Sequence, residues 1–172
     1  MSSSALPPDP ADATDAAGAV KPSERLAELG LLLPAVPSPA GAYVPAVRDG
    51  DLVWTAGQLP LVGGKLAATG LVGDEISTER AAELARVCAL NALAAAAAVA
   101  GGLDSLVRIV KVVGFVASAP GFADQPTVVN GASELLGAVF GDAGRHARSA
   151  VGVAALPLWA PVEIELVARV SG

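Results

Sequence analysis

Arg148 and Glu163 are the residues of this chain best placed to act on a small molecule. Both lie in the stretch from Arg145 to Ala168, which reads as two strand-like runs on either side of a Leu156-Pro157 break and Pro161. A charge taken out of water must be paired or used. Side chains alternate along a strand, so Arg148 shares a face with Ala150, Gly152 and Ala154. A long cation beside such small residues leaves room for a ligand, and a guanidinium grips a carboxylate through two parallel hydrogen bonds. Ser149, Val151 and Val153 fall on the opposite face, which reads as core. In the second run Val162, Ile164, Leu166 and Ala168 form the apolar face, with Glu163 and Glu165 on the other. The same spacing describes an ordinary half-buried strand pair with charges at its rim, and the residues alone leave both readings open.

The remaining inventory narrows the chemistry. Cys88 is the single cysteine, so no disulfide can close within the chain. It falls in an apolar helical run, which favours a buried thiol, and His146 is the single histidine that could serve it as a base. One Cys and one His do not make a zinc site without carboxylates, so no metal is expected. A formal charge of −6 works against binding a nucleic-acid backbone, which needs clustered Lys and Arg. A small anion held by one arginine is compatible with it.

The 172 residues suit one domain. Hydrophobic residues make up 53% and aromatics only 3%, so the core must come from Val, Leu and Ala with elements in close contact. Residues 1–20 have too little to bury to offset the entropy of ordering, and a disordered tail is expected there. They carry neither Lys or Arg nor a continuous apolar stretch before residue 20, so no secretory signal is read. Residues 21–38 read as a short helix, Ser23 to Leu31 with Ser23 as cap, followed by a Pro-rich linker. Residues 39–172 form the main domain. There Ala42–Arg48 and Leu52–Ala56 pair across the Asp49-Gly50 turn, and Leu61–Leu71 gives a third strand between glycine turns.

Ser77 or Thr78 caps a long helix to about Val99, with Leu84, Val87, Cys88, Asn91, Ala95 and Ala98 on one face. Asn91 in that face reads as a buried amide bonded to backbone. Glu83, Arg86 and Asn91 interrupt the apolar run and alanine anchors poorly in lipid, so no membrane span is expected and the protein is read as cytoplasmic. Gly101-Gly102 ends the helix. Ser105–Val116, dominated by β-branched residues, suits an interior strand covered on both faces. A second helix opens near Pro126, with Val129, Ser133, Leu136 and Phe140 facing the core and Asn130 beside them. Arg145 and His146 fit a water-exposed loop. This order of elements gives an α+β fold with helices on one face of a mixed sheet. The other face is left bare, and a large bare apolar face marks association.

Several ordered motifs then carry a resemblance. ARSAVGVAALP followed by VEIELVA resembles the C-terminal signature of the Rid family, also called YjgF: R-[ST]-x-V-x-V-x-x-L-P, then an apolar strand with V-E-I-E. AYVPAVRDGDLVWTAGQLPL resembles the family's opening hairpin, and ALNALAAAAAVAGGLDSLVRIVKVVGFV resembles its helix, Gly turn and following strand. The likeness runs from about Pro39 to Val170. It implies a chorismate-mutase-like subunit, a mixed β-sheet with a helix pair packed on one face, and a homotrimer with pockets between subunits.

The chemistry that the resemblance implies is hydrolysis of a reactive enamine or imine, of the 2-aminoacrylate or 2-iminopropionate type, to a 2-keto acid and ammonia without a cofactor. Arg148 would hold the carboxylate and Glu163 would orient or deprotonate the attacking water. Tyr43 would lie over the ligand, although strand packing explains it equally. Gly57 would line the pocket by close backbone approach, Asn130 would stand nearby, and Ser149 and the backbone after Arg148 would complete it. Ala150 stands where imine-hydrolysing members often carry cysteine. Other functions compete: a non-catalytic binder of small carboxylates using the same Arg148, and RNA cleavage or translation inhibition, also attached to the family's name. The acidic charge and single histidine argue against the last.

Overall fold

The computed structural model describes residues 20–36 and 41–171. The expected tail, Val20 apart, and the far end of the expected linker lie outside them. The described residues begin with helix α1 (Pro22–Glu28), then strands β1 (Ala46–Asp49) and β2 (Leu52–Thr55). A small ribbon of β3 (Leu61–Val62) and β4 (Lys65–Leu66) leads into helix α2 (Thr78–Ala100). Then come β5 (Leu106–Ala117), helix α3 (Gln125–Phe140), β6 (Ala147–Val153) and β7 (Val162–Val170). The main sheet is ordered β1-β2-β7-β5-β6. Its neighbours are antiparallel except β5 and β6, which run parallel and are joined through α3.

The sheet follows from alternation. Val162, Ile164, Leu166 and Ala168 of β7 are buried under the helices, and Glu163 and Glu165 point the other way. β5 buries Leu106, Ile109, Val112 and Val116 on the same side. The three-residue steps at its start coincide with register shifts against β7, between Leu106 and Arg108 and between Ile109 and Lys111.

α2 starts where the Ser77 hydroxyl accepts the Arg80 N–H at 3.2 Å. It stops at Gly101, whose φ of 91° a side chain would oppose. Asn91 through Ala97 are buried without interruption, because alanine is small enough to admit the sheet on one side and α3 on another. By length and composition α2 could cross a membrane, but 61% of its apolar window is covered within the fold, as befits a core helix. Glycines let the layers close: a Cβ at Gly131 of α3 would overlap the Ala82 carbonyl oxygen of α2, and one at Gly114 of β5 would meet Val129 of α3.

Four expectations are corrected. Pro22 takes the first helical position, so α1 begins before Ser23, and Ser23 instead bonds through N and Oγ to Asp104 at 2.9 and 2.8 Å. Leu61–Leu71 does not add a strand to the sheet, because Gly63 and Gly64, both at positive φ, fold it into the separate β3–β4 ribbon. β5 is covered on one face only; its Lys111, Val113 and Phe115 side remains partly open. The faces of β6 are reversed: α3 packs over the Arg148, Ala150 and Gly152 side, while Val151 on the other side is 43% exposed. Val47 and Trp54 share that uncovered face, each 52% exposed.

Candidate functional site

Register decides where Arg148 goes. It pairs with the buried Val112 of β5, so its side chain rises on the helix side of the sheet, at the edge strand, toward α3. There Arg148 Nη1 donates to Asn130 Oδ1 at 2.7 Å and to Ser133 Oγ at 3.1 Å. Asn130 and Ser133 are three apart on α3 and so share a face. Both contacts fall on Nη1. The Nε and Nη2 protons, which form the side-on fork that matches a carboxylate, have no protein partner among the described residues.

His146 completes this cluster. Its Nε2 lies 3.0 Å from Ser133 Oγ and its Nδ1 2.6 Å from Gly144 O. Burial lowers the His146 pKa and the charge of Arg148 adds to that, against the opposing hydrogen bond to Gly144. A cavity of about 330 Å³ opens beside the group, lined by Ser133, Gly137, Gly144, Arg145, His146 and Arg148. Sequence alone assigns His146 to an exposed loop and Ser133 to the core. The signal that could have joined them is positional: Ser133 lies on the Asn130 face of α3, and His146 stands two residues before Arg148, just ahead of β6.

Glu163 occupies a different part of the subunit. It faces the uncovered side of the sheet, where a Cβ at Gly57 would overlap its carboxylate. Gly57 is thus required by the close approach of Glu163, and the Gln58–Ile164 backbone pair, bonded both ways at 2.8 and 3.0 Å, fixes that approach. Burial, and next the like charge of Glu165, pushes the Glu163 carboxyl above its ordinary pKa. Cys88 lies beneath: burial first, and then the Glu163 charge, pushes its thiol well up, which leaves it an un-ionised core group.

Within one chain, then, Arg148 and Asn130 stand together on the helix side of the sheet, and Glu163 and Gly57 stand together on its uncovered side. Ser149 points to the uncovered face, where its hydroxyl accepts from Lys111 Nζ at 3.0 Å. Tyr43 sits in a bend ahead of β1, 52% exposed.

Asn91 steadies the Gly57 segment from below, its Nδ2 donating to Leu59 O at 2.9 Å and Leu61 O at 3.1 Å. Asn91→Ala strands both carbonyls. It is expected to lower the unfolding free energy by about 1–3 kcal/mol, read by chemical denaturation.

With this geometry in hand the chain can be set beside known proteins. A family model described as "YjgF/chorismate mutase-like, putative endoribonuclease" matches residues 23–170. Protein TCP17 of Trypanosoma cruzi is 42% identical over 149 residues, covering 85% of this chain and 92% of that protein. The crystal structure of Atu1372 from Agrobacterium tumefaciens, a protein of unknown function, superposes with a TM-score of 0.80 at 45% identity, over 87% of this chain and 92% of that one. More distant at 27% identity is TdcF of E. coli, solved with bound serine, with a TM-score of 0.56 over 79% of this chain and 94% of that one. The matched span takes in α1 from its second residue, both sheet-covering helices, the Arg148 cluster and the Gly57–Glu163 contact. The chain belongs to the YjgF/chorismate mutase-like family.

Proposed function

We propose that the protein hydrolyses reactive enamine and imine intermediates of the 2-aminoacrylate or 2-iminopropionate type to 2-keto acid and ammonia. The observation that carries this reading is the guanidinium of Arg148, fixed through Nη1 while its Nε/Nη2 fork stays free for a carboxylate. The TdcF structure with bound serine supports it, since serine is itself a small carboxylate. In this reading the site is shared between copies of the chain. The uncovered sheet face, with Trp54, Val47 and Val151, is the association surface, and a neighbour's Glu163 and Gly57 meet the Arg148 edge. A homotrimer is the assembly proposed, with Tyr43 closing the pocket.

The reaction balances without a cofactor. A water lone pair forms the C–O bond as the C=N π pair moves to nitrogen. The water proton passes to Glu163 and from it to nitrogen. Glu163 then carries the hydroxyl proton to the amine nitrogen, an oxygen lone pair closes the C=O bond, and the C–N bond breaks with its pair leaving on ammonia. Glu163 suits this work because its raised pKa brings proton uptake and release closer to neutral pH.

The test generates 2-iminopropionate enzymatically and follows pyruvate release with and without the protein. No acceleration over buffer removes the reading. Carboxylate binding without turnover favours the binder instead, a reading to which the separation of Arg148 from Glu163 within one chain lends weight. RNA left intact disposes of the nuclease.

A base must be ionised to act, so the rate should fall as pH drops through the raised Glu163 pKa. Glu163→Gln is expected to remove that acid limb and cut kcat by about 10²-fold or more. The same change should not lower stability at neutral pH. A carboxyl whose folded pKa is raised penalises folding once ionised, so the penalty is absent below the ordinary carboxyl pKa and present above the raised one. A melting curve at neutral pH therefore separates lost chemistry from lost fold.

A further inference from the structure

We propose that Ser133 and His146 are positioning residues for Arg148: together they hold its guanidinium through Nη1 and set the strength with which it takes a carboxylate. The inference rests on the reading of Arg148 as the carboxylate anchor.

The hydrogen bonds run in one direction. Gly144 O can only accept, so the His146 nitrogen beside it, Nδ1 at 2.6 Å, carries the proton. In the neutral ring Nε2 is then an acceptor, and the Ser133 hydroxyl donates to it at 3.0 Å. Ser133 Oγ in turn accepts from Arg148 Nη1 at 3.1 Å. The far end of this chain is fixed to the backbone, because the turn holding Gly144 presses on α3 so closely that a Cβ there would overlap the Leu136 carbonyl oxygen. Successive hydrogen bonds polarise one another, so the state of His146 is felt at the guanidinium.

Protonating His146 reverses the Ser133 hydroxyl and puts a second cation behind the first. A carboxylate on the Arg148 fork offsets that repulsion. By linkage, carboxylate binding and His146 protonation then favour each other. Other charges on the surrounding elements are Arg145 on the same segment, Asp142 in the turn, Glu134 on α3, Lys111 on β5 and Arg25 of α1. Asp142 lies 3.9 Å from Arg145, Lys111 turns to Ser149 on the other face, and Arg25 lies against Gly141. The charge that bears on the His146 ring is that of Arg148.

The experiment titrates pyruvate into the full chain by isothermal calorimetry, from about pH 5.5 to 8, the range in which histidine changes charge. Wild-type affinity is expected to rise by roughly threefold on acidification, the size of one partly screened charge coupling. Glu163 titration would act in the same sense, so Glu163→Gln and His146→Gln are compared. His146→Gln, whose amide oxygen can still accept the Ser133 hydroxyl but does not titrate, should keep the neutral-pH affinity and show a shallower slope than wild type, the remainder being that of Glu163. Glu163→Gln should keep a slope. Ser133→Ala should weaken pyruvate binding by roughly fivefold at every pH, through loss of one charge-assisted bond, and raise KM for the imine more than it lowers kcat.

A flat wild-type profile overturns the inference. So do a wild-type slope in His146→Gln and unchanged affinity in Ser133→Ala. If Arg148→Ala has meanwhile lost pyruvate, the anchor reading stands without the relay. Undiminished pyruvate binding by Arg148→Ala overturns both.

Discussion

Arg148→Ala is expected to lower kcat/KM for 2-iminopropionate by about tenfold to a hundredfold, the equivalent of roughly 1.5–3 kcal/mol for a charge-assisted carboxylate contact. The loss should appear mainly in KM if the guanidinium only holds substrate, and in both constants if it also aligns the imine carbon with water. Arg148→Lys keeps the charge but not the planar fork, and should fall between wild type and alanine. The fold should survive, because the substitution removes only the hydrogen bonds of one partly exposed side chain to Asn130 and Ser133. Their helix is held otherwise by Val128, Val129, Ala132, Leu135 and Leu136.

Mixing separates a shared pocket from a self-contained one. Arg148→Ala copies still carry Glu163, and Glu163→Gln copies still carry Arg148. Unfolded and refolded together in equal amounts, they should regain activity at roughly a quarter of their interfaces if the pocket lies between copies. No recovery, with both variants assembled, would place the two residues in separate roles.

The second large effect concerns stability, and it reverses sign along one helix. Gly131→Ala should destabilise the protein by about 2–3 kcal/mol, a fall in Tm of roughly 5–10 °C for a chain of this size. The new Cβ would overlap the backbone oxygen of Ala82, which no rotamer change can move, so α2 and α3 must part. Gly137→Ala, six residues on in α3, meets nothing within 4 Å and should gain up to about 1 kcal/mol from helix propensity. Thermal unfolding of the two variants side by side is the check. Equal shifts would mean that the helix contact is looser than its geometry implies.

Much of the fold was legible because it rests on local rules. Ser77 and Gly101 bound α2, Asp49-Gly50 turns the hairpin, and the alternation of β7 separates Glu163 and Glu165 from the core. The errors came where a local rule had a non-local competitor. Gly63-Gly64 could close a ribbon or join strands to the sheet, and the residues do not say which. Both faces of β6 are composed of residues that can be buried, so composition could not say which face α3 would cover.

Arg148, Asn130 and Glu163 could each be singled out from the motifs, because charge and amide groups among small or apolar neighbours are conspicuous in one dimension. Their grouping was not available there. The helix side of β6 gathers Arg148, Asn130, Ser133 and His146, while Glu163 and Gly57 meet on the far side of the sheet. The sequence by itself determined the element types, the apolar stripes and which side chains carry chemistry, since each depends on neighbours a few residues away. Only the tertiary structure decided which of them share a cavity, because that follows from strand register and from which sheet face the helices cover, and both are set by packing across the whole chain.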